Sequence, residues 1–178
     1  MRIDTHQHYW RYLAEDFPWI DDTKAALKRD FTPDDSLPEM RAAGFDASIA
    51  VQARQTADET ASLLAFADAH PTVVGVVGWV DLLADDVEAQ LADVASHPKL
   101  VGIRHIVQDE PDDRFLLKPE FLRGVVVLGL LAMLCHAVRL NEEHWYRNST
   151  LVPYAEHAGN VLRALVGESR ITSPEAAA

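Results

Sequence analysis

Short apolar runs alternate with amphipathic stretches through the first 120 residues of the chain. Four runs, Arg2–His6, Ser48–Gln52, Val73–Val80 and Leu100–Ile106, are rich in β-branched or apolar residues and predict strands. The stretches between them predict helices. Near Thr56–His70, Thr56 followed by Glu59 reads as a capping box, and Leu63, Leu64 and Ala67 form the apolar stripe behind it. Asp85 and Glu88 open the next helix, Val87, Leu91 and Val94 mark its buried face, and His97-Pro98 stops it. A shorter helix near Leu37–Ala43 ends at Gly44, and another begins near Lys118-Pro119-Glu120.

The later strands are apolar at nearly every position, as in a parallel sheet covered on both faces. Alternating βα units mean either a TIM barrel or an open doubly wound sheet. No Gly-x-Gly-x-x-Gly follows the first strand, which disfavours a dinucleotide fold. The fold class is therefore α/β, of the TIM (β/α)8-barrel type. About four βα units fit before residue 124, where a full barrel has eight in about 250 residues. Residues 1–124 are expected to form the N-terminal half of such a barrel. Residues 125–178 read as a divergent, mainly helical tail whose end, Ser173–Ala178, is expected to be disordered. The apolar run Val125–Cys135 is too short to span a bilayer and reads as a core segment.

A formal net charge of −12 argues against nucleic acid or an anionic membrane as partner, because phosphates would be repelled. It leaves a small-molecule substrate open. The single cysteine, Cys135, forbids an intramolecular disulfide, and the first residues contain no apolar secretory region. Both features predict a cytoplasmic protein.

Side chains alternate along a strand, so Asp4, His6 and His8 are expected on one side, at the mouth of a barrel where its chemistry is built. Two imidazoles so spaced can ligate one divalent metal, zinc being the natural choice; they can equally be loop or core histidines with hydrogen-bonding roles. Arg104 and His105 end the fourth strand. An Arg there can hold a carboxylate or ring oxygen, and a His can donate to a carbonyl, provided the strand ends at that point; the alternative is a surface Arg and a structural His. Gln52, ending the second strand, could bond a substrate or satisfy backbone groups. Asp81, ending the third strand, could orient a neighbouring site residue or cap the following turn, and the cap is favoured. Trp10, Trp19 and Trp79 read as core, with a sugar-like pocket as the alternative. His136, Glu143 and His144 match no standard ligand spacing, and Cys135 reads as an inert thiol.

The start Asp4-Thr5-His6-Gln7-His8-Tyr9-Trp10-Arg11-Tyr12, with Phe17-Pro18-Trp19-Ile20, resembles the amidohydrolase 2 branch of the amidohydrolase superfamily. Further matching segments follow in order: Asp30-Phe31-Thr32-Pro33, Val51-Gln52-Ala53-Arg54-Gln55, Gly78-Trp79-Val80-Asp81 and Lys99-Leu100-Val101-Gly102-Ile103-Arg104-His105. Gln108-Asp109-Glu110-Pro111-Asp112 and Phe121-Leu122-Arg123-Gly124 complete the series.

The branch includes sugar-lactone and pyrone-dicarboxylate lactonases, and the likeness is strongest to fuconolactonase-like metal-dependent hydrolases. The resemblance implies a (β/α)8 barrel that opens a cyclic ester by water attack on its carbonyl. His6 and His8 would be catalytic and metal-holding; Arg104, His105 and Gln52 would bind substrate. Some members work without metal. The resemblance also implies a later Asp-His-x-x-Lys-Pro strand end and a Gly-Ser-Asp-Trp-Pro motif bearing the general base, and neither motif occurs in this sequence. Thr150–His157 faintly resembles the helix before the latter. Two alternatives therefore stand beside the hydrolase: a truncated, inactive relic or binding module, and a decarboxylase on the same barrel. A half-barrel leaves sheet edges through which copies could associate.

Overall fold

The structure is a computed structural model and describes residues 1–142. The chain divides into two units, Met1–Val125 and Val126–Ala178. In the first, four strands, β1 (Ile3–Gln7), β2 (Ala47–Val51), β3 (Val73–Gly78) and β4 (Leu100–Ile103), form one parallel sheet in the order β1-β2-β3-β4. Helices α1 (Pro33–Ala42), α2 (Glu59–Ala69) and α3 (Val87–Ala95) make the crossovers. Each new strand joins the same side of the last, so the sheet winds one way with no reversal. That is the winding of a barrel; a doubly wound sheet would reverse at a switch point. The fold is thus a partial (β/α)8 barrel of four βα units.

Each strand pair slips register once, between Asp4 and Gln7, between Ser48 and Ile49, and between Val76 and Val77. Such slips let strands coil and stagger as a closing sheet requires. The slip in β1 falls on the stretch that carries His6, where simple alternation of side chains no longer applies.

The main core lies between the sheet and α2. Ala50, Val73 and Val76 of the sheet meet Leu63, Leu64, Phe66 and Ala67 of the helix. Gly78 allows this approach: a Cβ there would stand 2.5 Å from the Thr60 hydroxyl oxygen. That hydroxyl in turn accepts from the Trp79 N–H at 2.8 Å and donates to the Trp79 carbonyl. It thereby satisfies the backbone where β3 ends.

Several local expectations are corrected. Helix α1 starts at Pro33, earlier than Leu37, because the Asp35 carboxylate accepts from both the N–H and the O–H of Thr32 and caps it. Gly44, at φ 79°, terminates it as expected. The Thr56–Glu59 capping box does not form. Asp58 occupies the N-cap position of α2 with no side-chain cap bond, Thr56 donates to Asp58, and the Glu59 carboxylate turns back to the end of β2. Helix α3 begins after Asp86, whose carboxylate accepts from Gln90 Nε2 at 2.8 Å, while Asp85 meets Arg123. Asp81 does cap its own turn, accepting from the Leu83 N–H at 3.0 Å.

After β4 comes α4 (Pro119–Glu142). Residues 125–132 are half-buried or exposed, so the described part of the apolar run is not core. Among the described residues no helix is long and apolar enough to cross a membrane. The expected disorder of Ser173–Ala178, Glu143, His144 and the stretch Thr150–His157 lie outside the described residues.

Candidate functional site

Residues just past the C-terminal ends of β1, β2 and β4 border a cavity of about 660 Å³. His8 enters it from β1, Gln52 and Arg54 from β2, and Arg104 and Ile106 from β4. Trp10, Glu15, Asp16, Pro18 and Trp19 come from the long segment after β1.

His8 follows directly on β1. Its Nδ1 lies 2.9 Å from the Val51 carbonyl oxygen. A carbonyl can only accept, so Nδ1 carries the proton and Nε2 keeps its lone pair. Burial lowers the His8 pKa, opposed by the Val51 bond and assisted by the charges of His6 and Arg104. In the neutral ring this tautomer leaves Nε2 free, the form a metal ligand needs. His6 is exposed and outside the cavity lining, yet its ring centroid is 4.9 Å from that of His8, edge to face. The donor chemistry of this pair fits a divalent cation with two ligands. Among the described residues no group of three or more His, Cys, Asp or Glu side chains supplies a complete set.

Gln52 is fully buried and cross-links to Arg104. Its Nε2 donates to the Arg104 carbonyl at 3.3 Å, and Arg104 Nη1 reaches the Gln52 carbonyl at 3.2 Å and Oε1 at 3.4 Å. Strands β2 and β4 are alternate strands, and in a barrel alternate strands share an interior layer. Among the described residues, no carboxylate lies within ion-pair distance of the Arg104 guanidinium.

His105 is placed elsewhere. β4 ends at Ile103, short of the expected Ile106, yet only Arg104 of the pair lines the cavity. The His105 ring stacks on Phe115 at 4.9 Å, meets Phe121 edge-on, and bonds Glu110 Oε1 at 2.7 Å. It anchors the segment after β4 rather than lining the cavity.

The tryptophans divide. Trp10 and Trp19 line the cavity, and Trp10 also packs on Phe17 and Phe31. Trp79 does not line it, and its Nε1 is buried without a partner among the described residues.

Sequence reasoning missed Arg54. Its Nε donates to Glu59 Oε2 at 2.7 Å and its Nη2 to Asp58 at 3.0 Å, while Nη1 meets Asp16. Burial opposes the Arg54 charge, but Glu59, Asp58 and Asp16 outweigh it and hold its pKa up. Burial likewise raises the Glu59 carboxyl, offset in part by the Ala53 N–H and Arg54. An Arg with a Glu five residues on, spanning a strand end and a helix start, was the available signal.

Four singly wound βα units with a cavity at the C-terminal mouth define one half of a (β/α)8 barrel whose first strand presents an imidazole pair. A family model described as amidohydrolase matches residues 3–167, and the chain belongs to that family. An L-fucono-1,5-lactonase of Burkholderia multivorans is 47% identical over 129 residues, which are 72% of this chain and 43% of the relative. An L-fucono-1,5-lactonase of Burkholderia ambifaria is 38% identical over 135 residues, 76% of this chain and 45% of the relative. The chain thus spans less than half the length of these curated relatives.

A crystal structure of an amidohydrolase from Burkholderia multivorans with bound zinc superposes with a TM-score of 0.69 at 46% identity, over 73% of this chain and 46% of that one. A probable 2-pyrone-4,6-dicarboxylic acid hydrolase of Acinetobacter baumannii, with citric acid bound, superposes at 0.54 with 17% identity over 73% and 46%. That last likeness concerns the fold alone.

Proposed function

We propose that the chain carries the substrate-binding half of a lactonase-type hydrolase that opens sugar-type cyclic esters in the cytoplasm. The carrying observation is the convergence of His8, Gln52 and Arg104 on one cavity of about 660 Å³ at the strand ends. Its aromatic lining, Trp10 and Trp19, suits a sugar ring. Water adds to the ester carbonyl, the acyl C–O bond breaks, and a hydroxy acid leaves. In this reading Arg104, braced by Gln52, holds the carbonyl side of the substrate and takes the carboxylate as it forms. His6 and His8 would hold a divalent cation, most simply zinc, which when bound supplies Lewis-acid polarisation of the carbonyl. His105 supports the segment after β4 instead of meeting the substrate. Copies of the chain would associate through the open edges of the sheet.

A second reading is a binding module that holds the lactone without turnover. The observation favouring it is that the described residues supply only two imidazoles toward a metal. Hydrolysis of a panel of sugar lactones, followed by acid release with and without zinc, separates the two. Zinc-dependent turnover lost in His6→Ala/His8→Ala supports the hydrolase. Saturable lactone binding with no acid release overturns it in favour of the binding module.

A further inference from the structure

Glu15, Asp16, Pro18 and Trp19 form one wall of the cavity, and all lie on the segment between β1 and the 3-10 turn Asp22–Leu27. The segment has a small apolar core of its own, in which Phe17 and Ile20 pack on Ala53 at the end of β2. Its ionic attachment to the barrel is Asp16 on Arg54.

Arg54 is a prepared anchor. Its side chain is 10% exposed and its guanidinium is already fixed from the α2 side by Glu59, Asp58 and, at 3.3 Å, Ser62. Glu59, 3% exposed, is fixed in turn by the Ala53 N–H at 2.7 Å. Three carboxylates surround this one cation, so it keeps no charge for an anionic substrate, unlike Arg104. Arg54 also lines a second cavity of about 380 Å³, which shares Trp10 and Asp16 with the first.

We propose that the Asp16–Arg54–Glu59 chain is a positioning device that sets the substrate wall carried by Glu15–Trp19. It governs affinity without touching the reacting atoms. The proposal rests on the lactonase reading for its kinetic consequence and on geometry alone for the tether.

The test is Asp16→Asn, which removes the loop's charge and leaves Arg54 its α2 partners, with Asp16→Glu as the restoring variant. Hydrogen exchange followed by mass spectrometry reads the segment directly. Amides of residues 11–20 should exchange about tenfold faster in Asp16→Asn, with β2 and β3 unchanged, because the tether limits local opening. KM for a lactone substrate should rise about threefold to tenfold with kcat within about twofold, the pattern of lost binding. Asp16→Glu should restore both. Unchanged exchange in Asp16→Asn overturns the tether; faster exchange with unchanged KM, or a fall in kcat alone, overturns the positioning role. If the parent chain turns over no lactone, the functional reading fails. Exchange, together with lactone binding read by tryptophan fluorescence, then decides the proposal.

Discussion

His8 Nδ1 stands 2.9 Å from the carbonyl oxygen of Val51, so the end of one strand fixes the tautomer of a side chain on the next. The free Nε2 that results is the available donor, and His6 stands beside it. Removing either imidazole should lower zinc affinity by about tenfold or more, the scale seen when a metal site loses its support. Calorimetric titration of the parent chain, His6→Ala and His8→Ala measures this. Equal zinc affinity in all three would place any metal elsewhere.

The Arg54–Glu59 pair makes a prediction about stability and its pH dependence. Arg54→Met leaves the buried Glu59 carboxylate without its cation, and breaking such a pair costs about 3–5 kcal/mol. Burial already raises the Glu59 pKa in the parent, and the loss of Arg54 removes a lowering influence. In the variant the folded pKa is therefore raised further above the unfolded value of about 4.3. The unfavourable contribution is fully present above the folded pKa and vanishes below the unfolded one, where both states are protonated. Urea denaturation should thus find the variant's deficit larger at pH 7 and shrinking as pH falls through that window. A deficit that grows on acidification would mean that Glu59 is held charged by other groups.

Thr60 and Gly78 make a steric pair. A Cβ at position 78 would stand 2.5 Å from Thr60 Oγ1 and 2.7 Å from Cγ2, so Gly78→Ala should destabilise by about 1–3 kcal/mol, the range for overpacking. Thr60→Val keeps the shape but strands the Trp79 N–H, which costs about 1–3 kcal/mol if the group stays buried. Thr60→Ala removes the clashing atoms, so Gly78→Ala should cost less on that background. Thermal unfolding of the four chains completes the cycle. Strict additivity would show that the helix and strand already separate at this point.

The strands were legible because β2 and β3 are largely buried and, Ser48 apart, apolar. The helix faces followed from the periodicity of Leu63, Leu64 and Ala67. Glu59 misled because its spacing from Thr56 satisfies a local pattern, while the lower-energy partner for a buried carboxylate was Arg54, across the strand end. His105 misled for a related reason. Its neighbour Arg104 does face the cavity, but Phe115, Phe121 and Glu110, all later in the chain, claim the imidazole. The wall from Glu15 to Trp19 has no periodic pattern at all; the packing of Phe17 on Trp10 and Ala53 and the Asp16–Arg54 pair give it form.

The two faces of the sheet predict opposite responses to a buried charge. Val76 faces α2 and is completely buried. Val101 lies over Gly75 and Ile49 on the opposite face, the interior side of the barrel, and is 56% exposed. A lysine at Val76 would place an ammonium in a packed core and should destabilise by more than about 4 kcal/mol. A lysine at Val101 can carry its charge into water along its own alkyl stem, at a cost under about 1 kcal/mol. Urea denaturation of Val76→Lys and Val101→Lys compares the faces directly. Equal, large losses would show that another part of the chain or a second copy covers the inner face in solution. Loss of self-association in Val101→Lys, read by light scattering, would identify the cover as a second copy.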